Sequence, residues 1–413
     1  MMDGAVEGVP LTGRYQVDDG MELRFTRILF SGSFFLSTLI LVLLATVQPL
    51  RSNIVAACSS TLLLAAGTFL IGHCKGSRTK YLRLFLLFSV MNLLLVPGEA
   101  FLRLRGFRYE SGMQFGYPRP SQFAVFEPDE KLFWKFPASA PGINSYGFRE
   151  REVETPKPSG RFRILFIGNS CTYQGHPALV ERELIDICPG VECLNFAMAG
   201  YTSYQGRILL ESVLPRLDPD LVVASFGWND RWLAYGEVDE KKIIRPPASS
   251  VARAFGQVYS RWRALQLARK ALAPLLGDAK LLDLQRVPPE SFKDNLVRIG
   301  RMCSERKIPV IFATEPSSYS RLGVPDYVVE SRYAVSRESA AALYREYNEL
   351  IREVSARDAG WHLADLDSII SGRENVGKIF TGDGIHFSAD GLSLVAGIEA
   401  GIIRELTGCG SRN

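Results

Sequence analysis

Apolar and polar positions follow three different regimes along the chain. The first hundred residues hold two long uncharged runs, Ile28–Leu50 (23 residues) and Ile54–Gly72 (19 residues), flanked by Arg27, Arg51 and Lys75. Each is long enough to cross a hydrocarbon core of about 30 Å as a helix rising about 1.5 Å per residue. A third run, Leu84–Val96, is uncharged for 13 residues and reaches spanning length only by taking in Pro97, Gly98 and Glu99 up to Leu102. Residues 103–160, rich in Pro, Gly, Phe and charge, keep no sustained period and read as a stalk or irregular lead-in with a few short strands. From Arg161 the pattern turns regular. Five short runs, Phe162–Ile167, Val191–Ala197, Leu221–Phe226, Ile308–Thr314 and His362–Leu366, alternate with longer amphipathic stretches. Short β-branched or aromatic runs separated by helical periods predict an α/β domain, a parallel sheet with helices on both faces. Its ligand crevice is expected at the carboxyl ends of the strands.

The intervals add detail. About eighty residues separate the third and fourth strands, with helices expected over Val251–Leu276 and Pro289–Lys307. That exceeds one crossover, so part of it is an insertion near the site. Ser317–Ser336 is a second long loop, placed to shape substrate entry. A final helix is expected over Leu392–Leu406.

Charge orients the membrane region. The short connection Lys75–Arg83 carries Lys75, Arg78, Lys80 and Arg83, against Arg51 alone in the other, which places the four-charge loop in the cytoplasm. With three spans everything after Leu102 lies outside; with an interfacial third segment the topology reverses. A cleaved signal peptide fits poorly, because 27 mostly polar residues precede the first run and a second run follows at once. Val55-Ala56-Ala57-Cys58 looks like a lipidation box but lies too far into the chain. A net charge of +4 on 413 residues, with no basic block interleaved with aromatics, argues against nucleic acid. The seven cysteines offer no metal-ligand spacing. Cys188 and Cys193, around Pro189-Gly190, form a disulfide if the domain is exported, or stay as two thiols. Glu99 at a membrane boundary is either a functional residue, a snorkelling acid or a cap on a broken helix.

Small polar corners follow the early strands: Gly168-Asn169-Ser170 after the first, Met198-Ala199-Gly200-Tyr201 after the second, Gly227-Trp228-Asn229-Asp230 after the third. Ser170 and Cys171 are adjacent candidate nucleophiles, and Ser170 can equally be a helix cap. A serine needs a neighbouring base, oriented in turn by a third group, and donors where an oxyanion develops. Of the four histidines, His73 ends an apolar run, His362 begins a strand, and His176 lies where a helix should be turning away. His386 has Asp383 three residues before it, a spacing that lets the carboxylate fix the imidazole tautomer. Cys171 has no evident base and reads as a small packed residue.

These blocks carry a resemblance. Ser170, Gly200, Asn229 and His386, in that order and each at a strand end or before the last helix, resemble the four blocks of the SGNH (GDSL-type) serine hydrolases. "INSYGFRE" (143–150) resembles a segment of their membrane-anchored bacterial members. The resemblance implies a three-layer α/β/α domain over 161–408 with a five-stranded flavodoxin-like sheet. It implies Ser170 as nucleophile, His386 as base and Asp383 as its orienter. The oxyanion hole would be formed by the N–H groups of Ser170 and Gly200 with the Asn229 amide, with neither metal nor cofactor. Asn169 departs from the family's usual Asp; an Asn can hold the turn by the same side-chain-to-backbone bonds. Trp228, Trp232, Tyr201 and Tyr204 are candidate walls of an acyl or sugar pocket.

The expected chain therefore has a tail (1–26), a membrane region of two to three transmembrane helices (27–102), a lead-in (103–160) and a hydrolase domain. It sits in the cytoplasmic membrane with the catalytic domain on the periplasmic or extracellular side. Its partners would be the bilayer and an acyl ester of a glycan or lipid. An O-acyltransferase with the same site, or a non-catalytic membrane subunit that kept the fold, are the alternatives. Protein partners and oligomeric state have no signature.

Overall fold

The computed structural model describes residues 98–107, 126–138, 140–243, 262–276 and 281–408. The predicted spans Ile28–Leu50 and Ile54–Gly72, and the third segment as far as Pro97, lie outside them. Among the described residues no helix is long and apolar enough to cross a membrane.

The described residues fall into two compact units, the smaller formed by 98–107 and 262–270. Within it Glu99 is buried and serves as a cap: its two carboxylate oxygens accept the Arg263 and Ala264 N–H groups at 2.9 and 2.8 Å. Free N–H groups and the positive end of the dipole make a helix start a favourable place for a carboxylate. Arg103 closes the arrangement with an ion pair to Glu99 at 2.8 Å.

In the larger unit, an antiparallel hairpin of β1 (Glu127–Asp129) and β2 (Phe133–Lys135) precedes a parallel sheet. The sheet consists of β3 (Phe162–Gly168), β4 (Val191–Asn195), β5 (Leu221–Ser225), β8 (Val310–Ala313) and β9 (Trp361–Ala364), in the order β4-β3-β5-β8-β9. A second hairpin, β6 (Leu233–Tyr235) with β7 (Leu281–Gln285), belongs to the long insertion. Because side chains alternate faces along a strand, each strand feeds two cores. Leu165, Ile167, Val222, Ala224, Val310 and Phe312 join one. Ile164, Phe166, Leu221, Val223, Ile311 and Ala313 join the other.

The helices that cover these faces are α1 (Ser170–Tyr173), α2 (His176–Leu184), α3 (Ser203–Leu217), α5 (Pro289–Ser304), α6 (Arg337–Ser355) and α7 (Ala389–Thr407), whereas α4 (Arg263–Leu276) begins in the smaller unit. The first core is covered by α3 and α5 through Leu210, Val213, Phe292, Leu296 and Ile299. The second is covered by α2 and α7 through Val180, Leu184, Val395 and Ile403. Burying any one of these large aliphatic or aromatic side chains contributes roughly 1.5–3 kcal/mol. The five predicted strands are the five strands of the sheet, each within a few residues of its expected bounds. The helix expected over Val251–Leu276 is described only from Arg263, residues 244–261 lying outside the described set.

Residues 126–160 pack into the domain. Phe133, Trp134, Phe136 and Phe148 are buried in the first core, and Phe148 stacks on Phe196 with ring centroids 4.7 Å apart. The segment 143–150 turns on Asn144, whose Oδ1 accepts the Tyr146 and Phe148 N–H groups, both at 3.1 Å. Cys193 is a buried free thiol, whereas Cys188 is disulfide-bonded, so the 188–193 bridge does not form.

Candidate active site

The strand order reverses between β3 and β5, and their carboxyl ends carry the polar corners. Gly168 ends β3 where a Cβ would meet Thr172 Oγ1 at 2.5 Å, so glycine lets α1 fold back tightly over the strand. Asn169 caps α1: its Oδ1 accepts the Cys171 N–H at 2.8 Å. Ser170 is the first residue of that helix, which leaves its own N–H without an intrahelical acceptor.

The structure brings Ser170, His386 and Asp383 together. His386 Nε2 lies 2.8 Å from Ser170 Oγ, and Nδ1 lies 2.5 Å from Asp383 Oδ2. Asp383 Oδ1 accepts the Ile385 and His386 N–H groups at 3.0 Å each. Burial alone would raise the Asp383 pKa; the hydrogen bonds from the His386 ring and these two N–H groups hold it well below the usual carboxylate range. Cys171 points away, with Sγ 3.6 Å from the Ile385 carbonyl oxygen. Burial, then Glu315 and Asp383, push its thiol pKa well above the usual value, so it stays protonated. His176 is buried at the start of α2 beside Glu399, 3.1 Å away, and takes no part.

Gly200 sits in the turn after β4 with φ +87°, a conformation that favours glycine. Asn229 is buried, and one amide N–H donates to the Tyr201 carbonyl at 2.9 Å, leaving a second. The Met198 N–H bonds the Gly168 carbonyl at 3.1 Å, which ties the Gly200 turn to the Ser170 turn. Among the described residues neither the Ser170 nor the Gly200 N–H has an acceptor. The arrangement can therefore take a proton from Ser170 and offer three N–H donors to an oxygen that becomes negative. The sequence matches the GDSL-like lipase/acylhydrolase family over residues 166–393, more than half of the chain.

The chain belongs to that family. It is a serine hydrolase acting on ester bonds. No curated protein matches it in sequence. Similar solved structures include the lipase/acylhydrolase from Enterococcus faecalis, 18% identical over 59% of this chain and 96% of that one, with a TM-score of 0.38. A GDSL-like lipase from Bacteroides thetaiotaomicron is 14% identical over 62% and 93%, TM-score 0.39. The acetyl xylan esterase AlAXEase is 17% identical over 59% and 100%, TM-score 0.38.

Several residues that support this acylhydrolase site stand in no motif of the sequence. Glu315, directly after β8, is buried and accepts Asn169 Nδ2–H at 2.8 Å and the Ser225 hydroxyl at 3.0 Å. Its pKa is raised to about 7 by burial, against the lowering effect of those two bonds. A carboxylate at the end of an apolar strand was the available signal. Arg286 and Asp239, from the insertion, are a fully buried ion pair at 2.9 Å, and Arg286 Nη1 also donates to the Gly200 carbonyl at 2.9 Å. Asp230 accepts the Ser203 N–H at 2.8 Å and the Gly227 N–H at 3.1 Å, bracing the Asn229 corner. Tyr201 donates its hydroxyl to the Trp134 carbonyl and Tyr204 stacks on Phe133, whereas Trp228 and Trp232 wall a pocket that, among the described residues, includes neither tyrosine.

Gln174, one residue past α1, clamps the distant histidine turn. Its Nε2 donates to the Phe387 carbonyl at 3.0 Å and its Oε1 accepts the Phe387 N–H at 2.9 Å. Gln174→Ala removes both bonds and leaves two backbone groups unpaired, a cost of about 1–3 kcal/mol each where they stay dry. The expected result is a kcat lowered about tenfold or more with KM little changed, because the Ser170–His386 contact loosens while binding surfaces remain. Steady-state kinetics with a melting curve as control checks it.

Proposed function

We propose that the chain is a membrane-anchored esterase that works outside the cytoplasmic membrane and cleaves an acyl ester, an O-acetyl ester included, of an envelope glycan or lipid. The line Ser170 Oγ, His386 Nε2, His386 Nδ1, Asp383 Oδ2 carries the reading of the chemistry. Ser170 attacks the ester carbonyl carbon while His386 Nε2 takes its proton. Asp383 keeps the other ring proton on Nδ1 and stabilises the imidazolium. The carbonyl oxygen, now an oxyanion, is met by the Ser170 and Gly200 N–H groups and the second Asn229 N–H; one such donor is worth about 3–4 kcal/mol in related sites. Collapse expels the alcohol, which takes the proton from His386. Water then attacks the acyl-serine with His386 again as base, releasing the acid. The two uncharged runs before residue 73 and the basic loop Lys75–Arg83 support the anchoring and the orientation.

A fluorophosphonate probe reacts with an activated serine and tests the reading directly. The folded protein should label stoichiometrically and Ser170→Ala should not; an unlabelled folded wild type would sink it. Incubation with an acyl donor, with and without a glycan acceptor, then separates hydrolysis from transfer, since only transfer yields an acylated glycan. A reporter fused after Leu102 and read on both sides of the membrane tests the orientation.

A further inference from the structure

A narrow pocket opens beside the site, walled by Trp228, Trp232, Tyr319, Tyr327, Tyr333 and Arg231. It shares a wall with the catalytic turn: the Tyr327 and Tyr319 hydroxyls donate to the Asp383 carbonyl oxygen at 3.1 and 3.4 Å. Trp228 immediately precedes Asn229. Arg231 is the unexplained residue. It is 5% exposed, and its guanidinium carbon lies 3.5 Å from the Trp228 ring centroid and 4.9 Å from that of Tyr344. Its Nη2 is buried with no hydrogen-bond partner, and among the described residues no carboxylate lies within ion-pair reach of it. The indole N–H of Trp228, a residue that walls the same pocket, is likewise buried without an acceptor.

Buried cations are ordinarily paired, and a guanidinium carries five donors in a planar fork that matches a carboxylate. Stacking on Trp228 offsets part of the cost of burial and leaves every N–H unused. Glu315 contributes to the field at Arg231, but its Oε1 is already occupied by Asn169 and Ser225. Two buried donor atoms, one of them charged, belong to residues that wall one pocket, and neither has an acceptor among the described residues. We propose that Arg231 and the Trp228 N–H form an anion subsite, and that the preferred ester carries a carboxylate on the unit that docks at the mouth of this pocket. This rests on the esterase reading above and names the substrate class within it.

The test compares matched esters on the full-length chain in detergent, with spontaneous hydrolysis subtracted. One arm places the carboxylate on the alcohol half (2-, 3- and 4-acetoxybenzoate against the acetoxybenzamides). The other places it on the acyl half (4-nitrophenyl hemisuccinate against 4-nitrophenyl butyrate). In one arm the wild type should prefer the carboxylate ester by about tenfold or more in kcat/KM, because a buried donor set rejects the analogue that leaves it unpaired. Arg231→Gln should abolish that preference, and Arg231→Lys, which keeps the charge without the fork, should reduce it. Ser170-dependent turnover with no preference in either arm, or a preference unchanged by Arg231→Gln, overturns the subsite. Benzoate and succinate titrations followed by tryptophan fluorescence give a readout independent of turnover. A saturable change lost in Arg231→Gln supports the subsite, and no saturable change in the wild type overturns it. Absence of Ser170-dependent turnover with every ester would instead overturn the esterase reading, and the titrations still decide the subsite. Should Arg231→Gln fail to fold, Arg231→Lys and competition by benzoate on the wild type decide it.

Discussion

His386→Ala is expected to lower kcat by about 10⁴- to 10⁶-fold, Ser170→Ala by a similar factor, and the double variant by no more than either alone. The reason is that nucleophile and base act as one unit. With the 2.8 Å contact between Ser170 Oγ and His386 Nε2 broken from either side, the serine keeps its proton and is a poor nucleophile. Asp383→Asn should cost about 10⁴-fold without displacing any group, because an amide at Nδ1 favours the tautomer that puts a proton on Nε2. The wild-type Asp383 is held well below the usual carboxylate range, so it remains ionised through mildly acidic pH and does not set the acid limb of the rate profile. Single-turnover kinetics on a chromogenic ester, with all four variants checked for unaltered melting, measures these factors. Additive losses in the double variant would contradict the shared-unit account.

The second large effect concerns the one letter that departs from the family pattern. Asn169 is fully buried, and its Nδ2–H donates to Glu315 at 2.8 Å. Asn169→Asp would turn that donor into an oxygen, setting two carboxylates against each other in a dry site. Like charges so close cannot both ionise, and one must hold a proton. Above pH 7 the variant should lose several kcal/mol of stability and about 10²-fold or more of activity, since the misplaced group is also the cap that aims Ser170. Lowering the pH to about 5 should return part of both. Adding Glu315→Gln should return most, because the new amide restores a donor between the two side chains. The wild type itself carries a milder form of this dependence. Glu315 is raised from 4.5 to about 7, so the folded protein binds its proton more tightly than the unfolded chain between those values. Stability is then greatest below about 4.5 for this group and falls as pH rises through about 7, by roughly 3 kcal/mol at full shift. Buried Asp230, raised from 3.8 to about 7, adds in the same direction. Melting curves across this range, with Glu315→Gln showing the shallower slope, test the sign. A slope unchanged by Glu315→Gln and no rescue of Asn169→Asp would refute the account.

The domain's secondary structure was legible because both faces of each strand are buried. Phe162–Ile167 and Leu221–Phe226 are near-continuous apolar runs for that reason, and the amphipathic stretches between them must cover them. The candidate site was legible because Ser170, Gly200 and Asn229 stand where strands end and His386 just before the last helix, and because Asp383 reaches His386 locally through a three-residue turn. Residues 103–160 had no period to read, since a hairpin and an irregular turn bury Phe133, Trp134 and Phe148 individually and not as a face.

What the sequence by itself determined was therefore the strands, the order of the polar corners and the local Asp383–His386 pair, all set by neighbours within a few residues. Only the tertiary structure decided the rest, because it depends on partners far apart in the chain. Glu315 explains Asn169 across 146 residues, Gln174 holds the Phe387 backbone across 213, and Arg286 reaches Gly200 across 86. Arg231 follows the same rule: a charged letter in "GWNDRW" became a buried cation stacked on Trp228 only once α6 and the Tyr319–Tyr333 segment closed around it. Burial converts an ordinary residue into a chemical demand for a partner, and burial is a property of the fold.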